Sequence, residues 1–204
     1  MMLRKKTARF LAGAAALGAL LTGCGGDDAG HGDMPAMGEG KATTAEQAAA
    51  NEADIAFAQQ MIPHHAQAID MAGLVPSRAA DKKVVDLAKQ IEQAQDPEIQ
   101  KLTGWLKDWG APASGDGMDH GENGHSEMAG MMSEGDMAKL QKAKGAEFDT
   151  MWMRMMIKHH EGAVEMARAE LKDGSHGDAK AMAQEIIDGQ QAEIDTMKGL
   201  LGEN

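Results

Sequence analysis

Two pairs of adjacent histidines, each with a methionine shortly before it, are the residues of this sequence best suited to chemistry. One pair lies in MIPHHAQAIDMA, residues 61–72, and the other in MIKHHEGAVEMA, residues 156–167. Positions i, i+3 and i+4 of a helix share a face, so each methionine would lie beside both histidines of its pair. Thioether sulfur selects Cu(I), and imidazole also suits copper. The repeated motif therefore predicts copper binding by methionine and histidine, with silver as a surrogate ion.

The motif belongs to a longer repeat, in which residues 95 positions apart correspond without a gap. On each copy, a helical arc of about 120° also carries an aspartate and a second methionine. These four residues are further candidate metal ligands: Asp54, Met71, Asp149 and Met166. The next stretch of each copy repeats a glutamine and a glutamate, which could orient the imidazole rings. These supporting residues are Gln95, Glu98, Gln190 and Glu193.

The repeated face would be polar for the interior of a helical protein. Each buried polar group without a partner costs about 1–3 kcal/mol, so such a core needs a hydrogen-bond network or a bound cation. A single His or Met on an apolar face is usually only part of the core. A second interpretation is therefore a scaffold or interaction protein with a structural polar core, and a third is a copper-dependent redox enzyme.

Other metal chemistries lack their motifs. A di-iron bundle uses Glu-x-x-His, and none of the four paired histidines has a glutamate three residues before it. His160-Glu161 begins like a zinc-protease motif, but Val164 stands where that motif needs histidine. No nucleophile elbow or phosphate-binding loop is evident. We therefore predict that the protein is not an enzyme.

Helices are predicted to carry these faces, because aromatic residues make up only 3% of the chain and methionine is abundant at 18 residues. Pro63 predicts a kink just before the first histidine pair, and Pro97 predicts a bend or a break. Thr43-x-x-Glu46 has the form of a capping box. The predicted helices cover residues 44–73, residues 77–109, a third stretch from Ser133-x-x-Asp136 to about 172, and residues 178–201.

Each pair of helices would leave an apolar face uncovered, and packing the pairs together would bury both faces. The predicted fold is therefore all-α, a four-helix bundle built from two repeated helical hairpins. The hairpins are predicted at residues 44–110 and 136–204, within one domain at 44–204.

The first 43 residues have the features of an export signal followed by a tether. Basic residues precede FLAGAAALGALL, residues 10–21, an apolar stretch too short for an ordinary transmembrane helix. Leu21-Thr22-Gly23-Cys24 looks like a bacterial lipobox, which predicts a lipoprotein signal peptide at 1–23 and lipidation of Cys24. An ordinary secretory signal is the alternative. Residues 24–43, rich in Gly and Asp, would form a flexible tether on the extracytoplasmic face of the cell membrane.

A second Gly-rich, acidic stretch, residues 111–135, is predicted to be a flexible linker between the hairpins. Met/His-biased tracts in an exported segment can wrap a soft cation without a preformed cage. The alternative is a solvated low-complexity linker that binds nothing. The linker's candidate ligands are Met118, His120, His125, Met128, Met131 and Met132.

The charge of the chain favours cations as partners. The formal net charge is −12, and loss of the four basic residues within 1–23 would change it to −16. Such a charge argues against nucleic acid and anionic lipid surfaces as partners. The predicted partners are a metal ion, the membrane through the lipid anchor, and a protein that exchanges copper with this one.

Residues 147–149 with 156–167, and residues 190–197, resemble the signature and the following helix of the family called domain of unknown function 305. The first half carries the same elements, and the resemblance covers residues 45–110 and 136–201. It implies a ferritin-like four-helix fold in an exported bacterial protein, with copper binding linked to copper tolerance as in some members. Because Pro63 and Pro97 have no proline counterpart in the second half, the two halves need not bind equally. The ligands that the resemblance implies are Met61, His64, His65, Met156, His159 and His160.

Overall fold

The computed structural model describes residues 49–113 and 128–203, and all regular structure in these ranges is helical. The predicted all-α fold is therefore confirmed. No helix in the described ranges is long and apolar enough to cross a membrane. The predicted signal peptide, the tether, Cys24, Met118, His120 and His125 lie outside these ranges. The helices are α1 (Glu52–Gly73), α2 (Lys82–Asp108), α3 (Glu134–Lys142), α4 (Gly145–Asp173) and α5 (Gly177–Leu201), with a 3₁₀ turn at Val75–Ser77.

The four long helices form two hairpins that pack against each other. α1 pairs with α2, α4 pairs with α5, and α1 packs across α4. The α1–α4 pair is antiparallel: the Asn51 side chain, at the start of α1, donates to the carbonyl oxygen of Asp173 at 2.9 Å. At the other end, Trp152 Nε1 donates to the carbonyl oxygen of Met71 at 3.0 Å. Equivalent helices of the two repeats thus meet at the centre of the bundle.

The apolar core is divided into two clusters, and each takes residues from all four long helices. A layer of His, Gln and Glu side chains crosses the bundle between them. Burying a large apolar side chain contributes about 1.5–3 kcal/mol, so the two clusters hold the polar layer in place from both sides. The first cluster includes Met71, Leu87, Trp152 and Ile194, and the second includes Phe57, Leu102, Ala167 and Ile186.

α1 begins at Glu52, later than the predicted start at residue 44, because a capping box forms at Asn51. The Asn51 side chain accepts a hydrogen bond from the Asp54 N–H at 3.1 Å, and the Asp54 carboxylate accepts one from the Asn51 N–H at 2.6 Å. The capping box predicted at residues 43–46 lies outside the described residues. α1 runs through Pro63 without interruption.

α2 begins at Lys82 and not near residue 77, because the chain first makes the 3₁₀ turn at Val75–Ser77. Asp81 then caps α2 by accepting a hydrogen bond from the Lys83 N–H at 2.8 Å. Pro97 does not divide α2, which continues to Asp108.

The prediction of one continuous third helix up to residue 172 is wrong. α3 ends at Lys142 and α4 begins at Gly145, with extended backbone between them. Gly145 has a φ of 63°, a conformation that favours glycine. Its N–H donates to the carbonyl oxygen of Arg78 at 2.7 Å, while Arg78 Nε donates to the carbonyl oxygen of Gln141 at 3.0 Å. These contacts with the α1–α2 connection end the helix.

Candidate metal centre

The four paired histidines lie together where α1 crosses α4, in the polar layer between the two apolar clusters. The rings of His64 and His159 have centroids 3.7 Å apart and planes inclined at 38°. His65 flanks His64 at 6.5 Å, and His160 flanks His159 at 6.4 Å. All four residues are 0% exposed. The fold therefore brings the histidines of the two sequence motifs into one contiguous buried group.

Each outer histidine contacts a glutamate from the second helix of its own hairpin. His160 Nε2 donates to Glu193 Oε2 on α5 at 2.7 Å, and His65 Nε2 lies 2.8 Å from Glu98 Oε2 on α2. The His65 nitrogen lacks the angle of a hydrogen bond, so its contact with Glu98 is the weaker of the two. A carboxylate at Nε2 holds the ring in the tautomer whose lone pair is on Nδ1.

Most of the other ring nitrogens in this layer have no hydrogen-bond partner among residues 49–113 and 128–203. They are Nδ1 of all four histidines and Nε2 of His159. His64 Nε2 is occupied, because it donates to the carbonyl oxygen of Ala129 at 3.1 Å. An unsatisfied buried polar group costs about 1–3 kcal/mol. A metal ion would use these lone pairs, because neutral imidazole binds metals through an unprotonated nitrogen.

Burial keeps the two inner histidines uncharged. It lowers the pKa of His64 from 6.5 to about 3, and the electrostatic effect of the neighbouring His65 adds to the shift. The pKa of His159 lies well below its ordinary value, first because of burial and then because of His64. Since both rings are neutral at neutral pH, a metal ion would not have to displace a proton from either of them.

Met61 and Met156 are fully buried, each three residues before the inner histidine of its helix. This spacing places each thioether within one helical turn of the polar layer. Met71 is seven residues beyond His64, about 10 Å along the helix axis, and packs in the first apolar cluster. Met166 lies half-buried at the edge of the second cluster. All four predicted core methionines therefore pack in or beside the apolar clusters, and Met61 and Met156 are the two that lie within one helical turn of the histidines.

Asp54 and Asp149 lie far from the histidines and accept hydrogen bonds from backbone N–H groups in the connections between helices. Each precedes the first histidine of its motif by ten residues, about 15 Å along the axis. Asp54 accepts hydrogen bonds from the N–H groups of Ser175 at 3.2 Å and His176 at 2.9 Å. Asp149 accepts one from the N–H of Asp81 at 2.8 Å. Each aspartate therefore reaches from its own hairpin to the connection of the other hairpin.

Gln95 and Gln190 lie in the polar layer, one helical turn from the glutamates that contact the outer histidines. They are 2% and 4% exposed. Both amide atoms of Gln95 and the amide oxygen of Gln190 lack a hydrogen-bond partner in the part of the chain that the structure describes. The predicted supporting residues are thus inside the bundle, and only the glutamates contact histidine.

Glu170 is a buried carboxyl group that sequence reasoning missed. Burial raises its pKa to about 8, and the neighbouring Asp54 adds to the shift. Burial alone would raise the pKa of Asp54, but the Asn51 N–H and the Glu170 side chain lower it to about 2. The repeat contains one indication that Glu170 is buried, because the equivalent position of the first half is the apolar residue Val75.

Residues 128–132, here called the strap, pack on the histidine layer. The linker prediction included them as flexible, whereas Met131 and Met132 are buried and Met128 is half-buried. The Gln67 side chain donates to the carbonyl oxygen of Met132 at 2.9 Å and accepts from its N–H at 2.7 Å. Sequence reasoning missed Gln67, which has an ordinary polar position on α1.

The chemistry of the donors fits a soft metal ion, although the side chains are not gathered around one point. Within residues 49–113 and 128–203, no group of three His, Cys, Asp or Glu side chains is arranged as a metal site. The layer offers imidazole nitrogens and two neighbouring thioethers, a mixture that suits copper. Structural zinc sites instead use four ligands in a closed tetrahedron.

Solved structures that resemble this chain include members of one family. A DUF305 protein from Streptomyces coelicolor, predicted to be secreted, is 32% identical with a TM-score of 0.67, and the match covers 74% of this chain and 93% of that one. A DUF305 fragment from Deinococcus radiodurans is also 32% identical, with a TM-score of 0.68 and coverage of 77% and 100%. No match was found among curated proteins.

CopM is a further structural relative, and it has been solved with Cu(I), Cu(II) and silver bound. Its Cu(II) form is 31% identical to this chain with a TM-score of 0.61, and the match covers 72% of this chain and 94% of CopM. The model of the family called domain of unknown function (DUF305) matches residues 54–201. This chain therefore belongs to the DUF305 family, as the repeated Met/His signature predicts.

Proposed function

We propose that this protein binds copper outside the cytoplasm, through methionine and histidine in the polar layer, for storage, buffering, delivery or copper tolerance. In this proposal the protein is not an enzyme, and copper is its cargo. The core ligands are the four paired histidines with Met61 and Met156. The residues of the Met/His-rich linker supply additional soft donors.

The observation that carries the proposal is the set of buried Nδ1 atoms that have no hydrogen-bond partner among the described residues. In three of the four histidines, the Nε2 position faces an oxygen: Ala129 for His64, Glu98 for His65 and Glu193 for His160. The lone pair is therefore left on Nδ1, inside the layer. A purely structural polar core would be expected to pair such atoms, because each unpaired one reduces stability.

The structural likeness to CopM supports copper as the metal, since CopM has been solved with both copper oxidation states and with silver. The likeness to a family member predicted to be secreted supports export. The lipobox at residues 21–24 supports anchoring through a lipidated Cys24. A protein anchored in this way could receive or deliver copper at the cell surface.

A titration of the mature protein with Ag(I) and Cu(I) tests the proposal. Two variants locate the site: one with His65 and His160 changed to Gln, and one with the linker residues Met118, His120 and His125 changed to Ser. The expected result is tight binding by the wild type and the linker variant, and weakened binding by the double-histidine variant. A variant with Met71 and Met166 changed to Leu is the matched control. A wild type that takes up neither ion would contradict the proposal.

A scaffold function is the second candidate, and the absence of a preformed three-residue ligand group in the described ranges favours it. It predicts that changing the histidines alters the free energy of unfolding by the same amount with and without Ag(I). Copper binding predicts that Ag(I) raises the stability of the wild type only.

A further inference from the structure

We propose that the strap, residues 128–132, is a displaceable lid over the histidine layer, and that the Gln67 side chain is the latch that holds it closed. This inference rests on the proposed function for its consequence, which is control of metal exchange. The opening of the strap itself is a property of the apo protein and can be tested without metal.

Some element must move before a metal ion can reach the histidines. The four rings are 0% exposed, so solvent has no direct access to their Nδ1 atoms. The long helices around them are fixed by two apolar clusters. The strap has no helical or sheet structure of its own; residues 128–130 are half-buried, and only its last residue, Met132, packs in the first apolar cluster. Segments of this kind open locally at a lower free-energy cost than packed helices do.

The strap is fastened to the layer by polar contacts. The Ala129 carbonyl oxygen accepts the Nε2 hydrogen of His64 at 3.1 Å. Gln67 is one turn further along α1, and its amide holds both backbone groups of Met132. The Gln67 side chain thus makes the two hydrogen bonds that water would otherwise make with the N–H and carbonyl groups of Met132. This two-point contact makes Gln67 the main polar anchor of the strap, so its loss lowers the free-energy cost of opening.

On the opposite side, α4 is shaped to receive the strap. A Cβ atom at Gly162 would overlap the carbonyl group of Ala129, so only glycine allows this approach. Gly130 has a φ of 79°, and a Cβ there would lie 2.6 Å from the Lys158 carbonyl oxygen. Glycine inside a helix reduces stability by about 0.5–1 kcal/mol relative to alanine, so its presence at position 162 fits a packing role.

Gln67 and Gly162 are equivalent positions of the 95-residue repeat. The repeat therefore departs from its own symmetry where the strap crosses the layer: one copy holds the strap with an amide, and the other makes room for it. A strap that crosses only once needs these two different surfaces. This asymmetry indicates that Gln67 and Gly162 determine where the strap packs on the bundle.

Hydrogen–deuterium exchange of the wild-type apo protein is the first test. We expect the Met132 amide to exchange by local opening, faster than amides in the middle of α1 and α4. If the Met132 amide exchanged only through global unfolding, the proposal that the strap is a lid would be wrong. This measurement needs neither a variant nor metal.

The latch is tested with Gln67→Ala, using modification of the apo protein by diethyl pyrocarbonate and mass spectrometry of the histidine peptides. Loss of two hydrogen bonds should raise the modification rate of His64 and His159 by about tenfold. Gln59→Ala is the matched control, because Gln59 also lies on α1 and holds the carbonyl oxygen of Pro112 at 2.9 Å. If Gln67→Ala does not fold, Gly162→Ala tests the same point by displacing the strap.

Equal modification rates in the folded variant and in the Gln59→Ala control would overturn the latch. Transfer of Ag(I) from the loaded protein to a chelator then links the lid to function. Faster transfer from Gln67→Ala, with faster histidine modification, supports the whole proposal. Faster modification in a protein that binds no Ag(I) supports the lid and contradicts the proposed function, so the two failures are distinguishable.

Discussion

Asp54 and Asp149 are repeat-related aspartates that each reach into the opposite hairpin and hold the N-terminal end of its second helix. Asp54 accepts hydrogen bonds before α5, and Asp149 accepts them before α2. The two halves of the repeat are therefore joined by a reciprocal pair of polar contacts, one at each end of the α1–α4 crossing. The carboxylates are occupied by backbone N–H groups, which makes them structural residues.

Changing Asp54 or Asp149 to Asn should destabilise the fold and leave the metal stoichiometry unchanged. Hydrogen bonds to charged groups contribute about 1.5–3 kcal/mol. In an Asn side chain, an NH2 group replaces one carboxylate oxygen, and this donor would face backbone N–H groups that are donors themselves. Urea denaturation of the apo variants and Ag(I) titration measure the two effects. Asp70→Asn, at an exposed position of α1, is the control. Normal stability with lost Ag(I) binding would instead make the aspartates ligands.

Glu170 should make the apo protein less stable as pH rises from about 6.5 to about 8; below that range the lowered pKa values of His64 and His159 act in the opposite direction. Its pKa is raised from 4.5 to about 8 in the folded state, so the folded protein holds a proton that the unfolded chain releases near pH 4.5. The stabilising contribution is complete below that pH and is lost as pH approaches 8. Glu170→Gln keeps a neutral donor next to Asp54 and should remove this slope.

Urea denaturation at about pH 6.5, 7.5 and 9 covers the range above the histidine contribution and measures this slope. Glu165→Gln, on the exposed side of α4, should retain the wild-type pH dependence. A Glu170→Gln variant whose stability falls with pH as steeply as that of the wild type would show that another group is responsible.

Glu193→Gln should weaken Cu(I) binding about 10–100-fold, the usual effect of removing a carboxylate that orients a metal-binding histidine. The change removes the negative partner of His160 Nε2, which lies 2.7 Å away. Glu98→Gln should have the smaller effect, because its contact with His65 lacks hydrogen-bond geometry. Competition with a chromophoric Cu(I) chelator measures both. Glu161→Gln, next to His160 but exposed, should bind like the wild type.

The sequence was sufficient to predict the buried histidine layer, because its signal is a helical period repeated at a fixed offset. The offset also paired Glu98 with Glu193, and the structure places both next to histidine. Both motifs come from helix faces that must point inward in any compact bundle. Local pattern and tertiary packing agree at these positions, which is why the prediction succeeds there.

The remaining features depend on contacts between residues far apart in the chain. Asp54 is held by backbone groups 121 and 122 residues away, and no local pattern encodes such a partner. The break between α3 and α4 interrupts a run of good helix formers. It forms because Arg78, in the α1–α2 connection, makes hydrogen bonds with both Gln141 and Gly145. Gly162 gave a weak signal as a glycine inside a helix, but its reason is the Ala129 carbonyl group that passes over it.

Changing both Met61 and Met156 to Leu should lower the affinity for Cu(I) and Ag(I) and leave Cu(II) binding by imidazole nearly unchanged. Thioether sulfur is the soft donor in the layer, and Cu(I) and Ag(I) depend on it more than Cu(II) does. Leucine has a similar volume, so the apolar packing should be retained, with a stability change below about 1.5 kcal/mol. Changing Met71 and Met166 to Leu is the matched control, because these methionines also pack in or beside the apolar clusters but lie about 10 Å from the inner histidines along the helix axis. Parallel titrations with the three ions decide the matter: an equal loss for all three would mean that the methionines shape the site without donating to the metal.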